Sequence, residues 1–335
     1  MSAALSGAVP QIAVVDGLCA GTAAMIACMA DVVIMTEKSE LFMTAPFTAD
    51  DKTAGAGTAE NAAKSGVAAI LAKDSAEAIA KAKQLLSVLP ANNLETAGND
   101  YYMENDAAVS ADLKGIELIS SVADKESVIE LYKQFGTSAV TAIGSLNWRT
   151  AGFVATNNGA KLTAEDSAKI ARFVTLCDAY SIPVVTFVDS EGFEKSSAAE
   201  LAGSIRDSAK LAQAYASATT AKIAVVTGKA YGSAYVALAS TAAGSDFTFA
   251  WEGAVIAPTT PEAAVVFLNG VSEDNAKQAQ EYADNEADAF TAAANGYVDR
   301  VITAEDTKSA LTSAIEATSS KRVVTPAKKH VNFVY

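Results

Sequence analysis

Two short stretches of this chain are suited to presenting backbone N–H groups to a developing negative charge. Residues 12–24 read Ile-Ala-Val-Val-Asp-Gly-Leu-Cys-Ala-Gly-Thr-Ala-Ala, and residues 223–235 read Ile-Ala-Val-Val-Thr-Gly-Lys-Ala-Tyr-Gly-Ser-Ala-Tyr. Overlaid without a gap, Ile12, Ala13, Val14, Val15, Gly17, Gly21 and Ala23 meet identical residues at Ile223, Ala224, Val225, Val226, Gly228, Gly232 and Ala234. Thr22 meets Ser233. In each copy a β-branched run bounded by glycine reads as a buried strand, and small residues after the second glycine open an apolar helix. Glycine lets the backbone approach a ligand closely, and N–H groups at the start of a helix point outward toward negative charge. One strand–glycine–helix junction is an ordinary connection in α/β proteins. The matched pair, hydroxyl residue included, predicts two similar domains and two donor sites.

What is scarce in the chain narrows the chemistry further. The single histidine, His330, sits in the basic run Lys328-Lys329-His330 near the end. A Ser-His-Asp or Cys-His enzyme needs a histidine held by its core, and a histidine metal site needs several. Both classes are excluded. Cys19, Cys28 and Cys177 have unrelated spacings, so they form neither a metal site nor a disulfide framework, and they fit a reducing cytoplasm. The net charge of −14 speaks against nucleic acid, whose phosphates need a basic surface. The longest apolar run, between Asp16 and Asp31, is too short to span a bilayer, and the N-terminus has no basic n-region. The expectation is a soluble cytoplasmic protein without membrane insertion.

Elements to position the two turns are readable in order. With 335 residues, half of them hydrophobic, the chain can bury two sizeable cores. Further strands are expected at 31–35 and 40–43, a polar surface loop at 48–66 containing Asp50 and Asp51, and a helix capped by Ser75 that runs to Leu89 before Pro90. Residues 91 to about 110 lack periodicity and read as a linker, dividing the chain into domains 1–95 and 111–335 with 96–110 between them. The second half predicts a helix from Asp124 or Ser127 through Phe135 and strands at 138–146 and 150–156. A helix over 164–180, a strand at 182–188 and a helix over 198–219 follow, before the second glycine turn. A short strand at 254–257 mirrors 40–44; an acidic helix over about 273–294 and a final helix over 304–317 complete the reading. Uniformly apolar strands alternating with helices argue for an α/β fold with a mostly parallel, covered sheet.

The chain resembles the carboxyltransferase component of biotin-dependent acyl-CoA carboxylases and of sodium-pumping acyl-CoA decarboxylases. The resemblance rests on Val9-Pro10-Gln11-Ile12 through Cys19-Ala20-Gly21, on Ser65-Gly66-Val67 and on Leu85 through Asn93. In the second half it rests on Cys177 through Pro183, Val188-Asp189, Gly192-Phe193, Gly203, Ala209-Lys210, Tyr231-Gly232, Gly296 through Asp299 and Lys328-Lys329-His330. Most of the chain is covered, in the family's order. The resemblance implies two crotonase-like (ClpP/crotonase) domains, the first truncated, because the family has a long segment before the matching Val-Pro-Gln. It places backbone oxyanion holes at Gly21 and Thr22 and at Gly232, Ser233 and Ala234. Substrate-binding neighbours fall at Ala20, Ala23, Tyr231 and Tyr235, with no metal. It implies biotin on a partner carrier protein and a CoA thioester as substrate. In the family's mechanism the biotin nitrogen takes the α-proton, so no protein base is required.

Thr22 departs from the glycine usual at that point, which narrows the approach to the backbone. The expected assembly is a homo-oligomer, dimer or hexamer, with Gly21 of one chain facing Gly232 of another. Either a separate chain supplies the missing half-domain or this chain has lost acyl-CoA binding. Two alternatives stay open: a subunit of a biotin-independent malonate-type decarboxylase, and a non-catalytic assembly subunit of a carboxyltransferase complex.

Overall fold

The computed structural model describes residues 2–48, 55–96, 103–159, 161–328 and 332. The sequence repeat proves to be the visible part of a larger structural one. The first unit contains α1 (Ser2–Leu5), β1 (Ile12–Val15), β2 (Leu18–Ala20), α2 (Thr22–Cys28), β3 (Val32–Thr36), β4 (Glu40–Phe42), α3 (Ala59–Lys64), β5 (Ile70–Ala72) and α4 (Ser75–Val88). The second begins with α5 (Gly115–Val122), β6 (Ile129–Leu131), β7 (Val140–Leu146), β8 (Arg149–Ala155), α6 (Ala164–Ala179), β9 (Val184–Ser190), α7 (Ser197–Ala202) and α8 (Ser204–Ser217). It continues through β10 (Lys222–Tyr231), α9 (Gly232–Leu238), β11 (Phe247–Trp251), β12 (Val255–Ala257), α10 (Pro261–Asn269), α11 (Asn275–Asn285), α12 (Ala289–Ala294), β13 (Arg300–Ile302) and α13 (Thr307–Ala317).

The two glycine turns sit in the same hydrogen-bonded frame. In the first unit β3 lies between β1 and β5, with Val14 opposite Ile34 and Ile34 opposite Ile70. In the second, β11 lies between β10 and β13, with Val225 opposite Phe249 and Phe249 opposite Arg300. After the first glycine the chain pairs again: Leu18, Cys19 and Ala20 with Glu40, Leu41 and Phe42, and Lys229, Ala230 and Tyr231 with Val255, Ile256 and Ala257. All these ladders are parallel; β3 and most of β10 and β11 are buried, whereas β1 and β2 leave Val14 and Leu18 exposed. Beyond the repeat, the second unit extends its sheet through β9, β8, β7 and β6. Only β6–β7 and β7–β8 among these pairs are antiparallel. The β7–β8 hairpin turns on Asn147 and Trp148, both with positive φ, and the buried Asp124 carboxylate accepts hydrogen bonds from both their amides at 2.9 Å.

One apolar core joins the units. Ile34, Leu85 and Leu89 of the first pack with Tyr132, Ile143 and Phe173 of the second. Phe153, Phe173, Phe187 and Tyr180 are fully buried, each contributing about 1.5–3 kcal/mol by leaving water. Polar contacts fix the relative orientation. The Asp31 carboxylate accepts from the Tyr180 hydroxyl and the Gln11 amide, both at 2.8 Å, and the Thr150 hydroxyl donates to the Val88 carbonyl at 2.8 Å.

Several local expectations change. Residues 124–135 are not a helix: Glu126 and Tyr132 have φ of 61° and 58°, and Ile129 and Leu131 are buried with Glu130 between them, a strand's period of two. The neighbouring helix is α5, where Leu118, Ile119 and Val122 share a buried face; with Lys114 at its N-cap it carries no side-chain cap to announce it. The 48–66 loop contains α3, started by Thr58, whose hydroxyl accepts the Asn61 amide, and it buries Ala59, Ala62 and Ala63. Asp50 and Asp51 lie outside the described residues, as do Lys329 and His330. Asp74, not Ser75, caps α4 by accepting the Glu77 amide at 2.9 Å. The 198–219 helix is broken at Gly203, which takes the left-handed conformation at φ 81°. The acidic helix over 273–294 is two, because Asp288 starts α12 by accepting the Phe290 and Thr291 amides; α10 had no counterpart in the sequence reading. Among the described residues no helix or strand lies between Val88 and Gly115.

Candidate functional site

Each turn is built the same way. A parallel strand enters the sheet, a glycine at positive φ reverses the main chain, and a seven-residue helix leaves. Gly21 has φ 58° and Gly232 φ 54°, a region L side chains rarely adopt, so the repeated glycine is a conformational requirement in both copies. The Gly21 N–H donates to the Phe42 carbonyl at 3.0 Å. The amides left without a carbonyl four residues earlier in α2 are therefore those of Thr22, Ala23 and Ala24. Thr22 and Ala23 are exposed, Ala20 and Gly21 partly covered. At the second turn Ser233 is exposed, Gly232 partly covered and Ala234 fully buried.

The surroundings differ. The second turn forms part of the wall of a cleft of 1040 Å³. Tyr231, Gly232 and Ser233 line it from one side, α7 and α8 through Leu201 and Ile205 from another, and Pro258 to Thr260 close it beyond the strand end. The break at Gly203 lets α7 and α8 both contribute, which a straight helix over 198–219 would not. At the cleft's edge Lys229 pairs with Glu191 at 2.7 Å. That contact holds the Glu191 carboxyl below, and the Lys229 ammonium above, their ordinary pKa values. Burial raises the Tyr231 hydroxyl. The pair was not singled out in sequence, although Asp189 to Phe193 stood out as a polar strand end and Lys229 lies within the repeat.

Asp189 explains the earlier glycine of the second copy. Its carboxylate accepts the Lys229 amide at 2.8 Å, and a Cβ on Gly228 would lie 2.5 Å from Oδ1. Tyr235 does not line the cleft: its hydroxyl donates to the Tyr297 carbonyl at 2.7 Å and its ring meets that of Tyr297 edge-on, with burial pushing its pKa up to about 12. Around the first turn, Val14, Leu18, Met25, Ile26, Met29 and Met43 are exposed, Leu18 by 71%. Ala20 and Ala23 line none of the cavities described.

Among the described residues no group of three or more His, Cys, Asp or Glu side chains could hold a metal ion, and no helix is long and apolar enough to cross a membrane. The buried Cys177 thiol is pushed up by its apolar surroundings, away from the reactive thiolate form. The cleft offers the backbone of the Gly232–Ser233 turn, with the Lys229–Glu191 pair at its edge.

Comparison with known proteins follows this geometry. The family model described as the carboxyl transferase domain matches residues 1–333. The chain is 36% identical over 359 aligned residues to the methylmalonyl-CoA carboxyltransferase 12S subunit of Propionibacterium freudenreichii subsp. shermanii, covering 98% of this chain and 68% of that protein. It is 34% identical to the methylmalonyl-CoA decarboxylase subunit alpha of Veillonella parvula, covering 98% and 69%. A crystal structure of transcarboxylase 12S, a hexamer with methylmalonyl-coenzyme A and methylmalonic acid bound, superposes with a TM-score of 0.90 at 34% identity, over all of this chain and 70% of that one.

Proposed function

The chain belongs to the carboxyl transferase family, and from that premise we propose that it moves a carboxyl group between biotin on a carrier protein and an acyl-CoA thioester, in an assembly where two copies share a site. The observation that carries this reading is the pair of glycine turns in one hydrogen-bonded frame, in a chain similar over 98% of its length to a methylmalonyl-CoA carboxyltransferase.

Carboxyl transfer to or from a thioester places negative charge on the thioester oxygen and on the ureido oxygen of biotin. Each needs fixed donors, and losing one donor costs about 10²–10³ in rate. The Gly232–Ser233 turn supplies one set into the cleft. In the first unit the donors are the amides of Thr22 and Ala23, because Gly21 is engaged by Phe42. Biotin supplies the nitrogen that carries or accepts the carboxyl group. The residues present fit either thioester or biotin at the second turn: the cleft is roomy, apolar on the α7–α8 side, and free of a side chain at Gly232. Acyl-CoA as the substrate class and three cysteines at unrelated spacings support a cytoplasmic location.

The exposed side chains of Val14, Leu18, Met25, Ile26 and Met29 form an apolar face beside the first turn, of the kind that marks an interface. A second copy, bringing its own α7–α8 cleft over that turn, puts Gly21 of one chain opposite Gly232 of the other. A further polypeptide segment, in this protein or in a separate chain, covers what the second copy leaves.

Exchange of labelled carboxyl between biotin and methylmalonyl-CoA, propionyl-CoA or malonyl-CoA tests the proposal. Exchange with at least one is expected. No exchange with any of them, in the presence of a biotin carrier protein, rejects it. The openness of the first turn favours one second reading, a non-catalytic assembly subunit. Tight binding of a CoA thioester by the protein alone would end that reading.

A further inference from the structure

A smaller cavity lies at the junction of the two units and shares no lining residue with the cleft. It measures 290 Å³; Ser65 to Val67 of the first unit form one wall, and Tyr132, Lys169 and Arg172 of the second form another. In a chain of net charge −14, none of its lining residues is acidic.

Three residues that carry hydrogen-bond donors with capacity unused line the cavity. Lys169 is 2% exposed, and its ammonium donates to the Ala139 carbonyl at 2.7 Å and the Gly136 carbonyl at 3.3 Å. A lysine has three N–H groups, so one is left over. Its burial pulls the pKa down to about 8 against the opposing fields of Asp166 and Glu130. Arg172 donates through Nη2 to the Ala30 carbonyl at 2.9 Å and the Asp31 carbonyl at 3.4 Å, and among the described residues it has no ion-pair partner. Most of its donor fork is free. Tyr132 is 7% exposed, sits at φ 58°, and among the described residues its hydroxyl has no hydrogen-bond partner. A strained backbone holding an unpartnered hydroxyl in a cavity lined by two cations and no carboxylate is an arrangement that an oxyanion satisfies well.

We propose that this cavity binds a small oxyanion, of phosphate or carboxylate type, held by the Tyr132 hydroxyl, the remaining Lys169 N–H and the Arg172 guanidinium. The bound anion locks the first unit onto the second. The wall opposite is already tight: a Cβ on Gly66 would lie 2.8 Å from the Phe135 ring. Because Arg172 also holds the carbonyls of Ala30 and Asp31, just beyond α2, occupancy stiffens the helix that follows the first glycine turn. This inference does not depend on the carboxyl-transfer reading.

Thermal unfolding of the full chain is followed while sodium phosphate, sodium malonate or sodium chloride is added at matched ionic strength. Phosphate, malonate or both should raise the midpoint saturably above chloride, by about 2 °C at ten times Kd for a chain of this length. A response to phosphate alone assigns a tetrahedral anion, and one to malonate alone a carboxylate. Tyr132→Phe, which keeps the ring, and Arg172→Gln should each weaken binding at least tenfold, and Arg172→Lys should recover part of it. No saturable rise beyond chloride overturns the proposal. So does an equal rise in the wild-type protein and in whichever of the two weakening variants folds.

Discussion

The first and second glycine turns have nearly the same main chain and very different surroundings. Their φ values differ by only a few degrees, and their strands pair in matching register. Yet a Cβ at Gly232 would lie 3.0 Å from the Pro258 carbonyl, while one at Gly21 would meet nothing within 4 Å. The comparison separates what a dozen residues encode from what the rest of the chain must add. A turn that aims amides needs only a strand, a glycine and a small-residue helix. A site that excludes water and grips a substrate needs walls, and in the second unit these are α7, α8 and the Pro258–Thr260 segment, far from β10 in the local pattern. The first unit has an equivalent turn without equivalent walls, which is why the proposed function brings a second copy over it.

The sharpest way to break the comparison is to put a side chain on each turn. Gly232→Ala should reduce carboxyl exchange about 10²–10³-fold and lower stability by more than the roughly 1–2 kcal/mol of the left-handed backbone, because it also crowds Pro258. Gly21→Ala should cost the conformational part alone. Steady-state exchange and urea unfolding on both variants check this; equal stability losses would mean that the walls do not press on the second turn. The earlier glycines should differ in the same sense. Gly228→Ala pushes on the Asp189 carboxylate and frees the Lys229 amide, for about 2 kcal/mol in a denaturant titration, whereas Gly17→Ala should cost about half that, since no atom stands within 4 Å.

Smaller effects sharpen the contrast. Tyr235 occupies the place that Ala24 holds in the first copy, so its hydroxyl bond to Tyr297 is peculiar to the second unit. Tyr235→Phe should cost about 0.5–1.5 kcal/mol by calorimetry and leave the α2 side unchanged. The least is expected of the Glu191–Lys229 pair, half exposed on its lysine side, at about 0.2–1 kcal/mol. Glu191 is lowered and Lys229 raised. The pair therefore stabilises from just above the ordinary glutamate value of about 4.3. It is lost as pH falls through the lowered glutamate pKa, or as pH rises through the raised lysine pKa. Glu191→Gln should flatten the acid limb of a stability-versus-pH curve and salt should shrink it; an unchanged curve would remove the pair from the account.

Legibility in the sequence followed the range of the interactions. The repeat, its strands and α6 were readable because their signals are local: four β-branched or small residues before a glycine, or an apolar face of Ala171, Phe173, Val174 and Cys177 that the structure buries. Breaks within helical patterns were not. Gly203 is tolerable inside a helix, and only its left-handed conformation reveals α7 as a separate wall of the cleft. The strand at Ile129–Leu131 was hidden because Val-Ile-Glu-Leu-Tyr suits either period, and the pairing with β7 decided it. Lys229 and Glu191 are 38 residues apart in sequence and meet only because β9 and β10 are neighbours, which no spacing announces.

The duplicated Ile-Ala-Val-Val strand also sets a problem during folding. β1 and β10 present the same four residues to β3 and β11, in the same direction and register, so each can pair with the other's partner before the helices have docked. Similar neighbouring units in one chain are prone to such misassembly. A shared strand sequence is thus also a source of kinetic competition during folding.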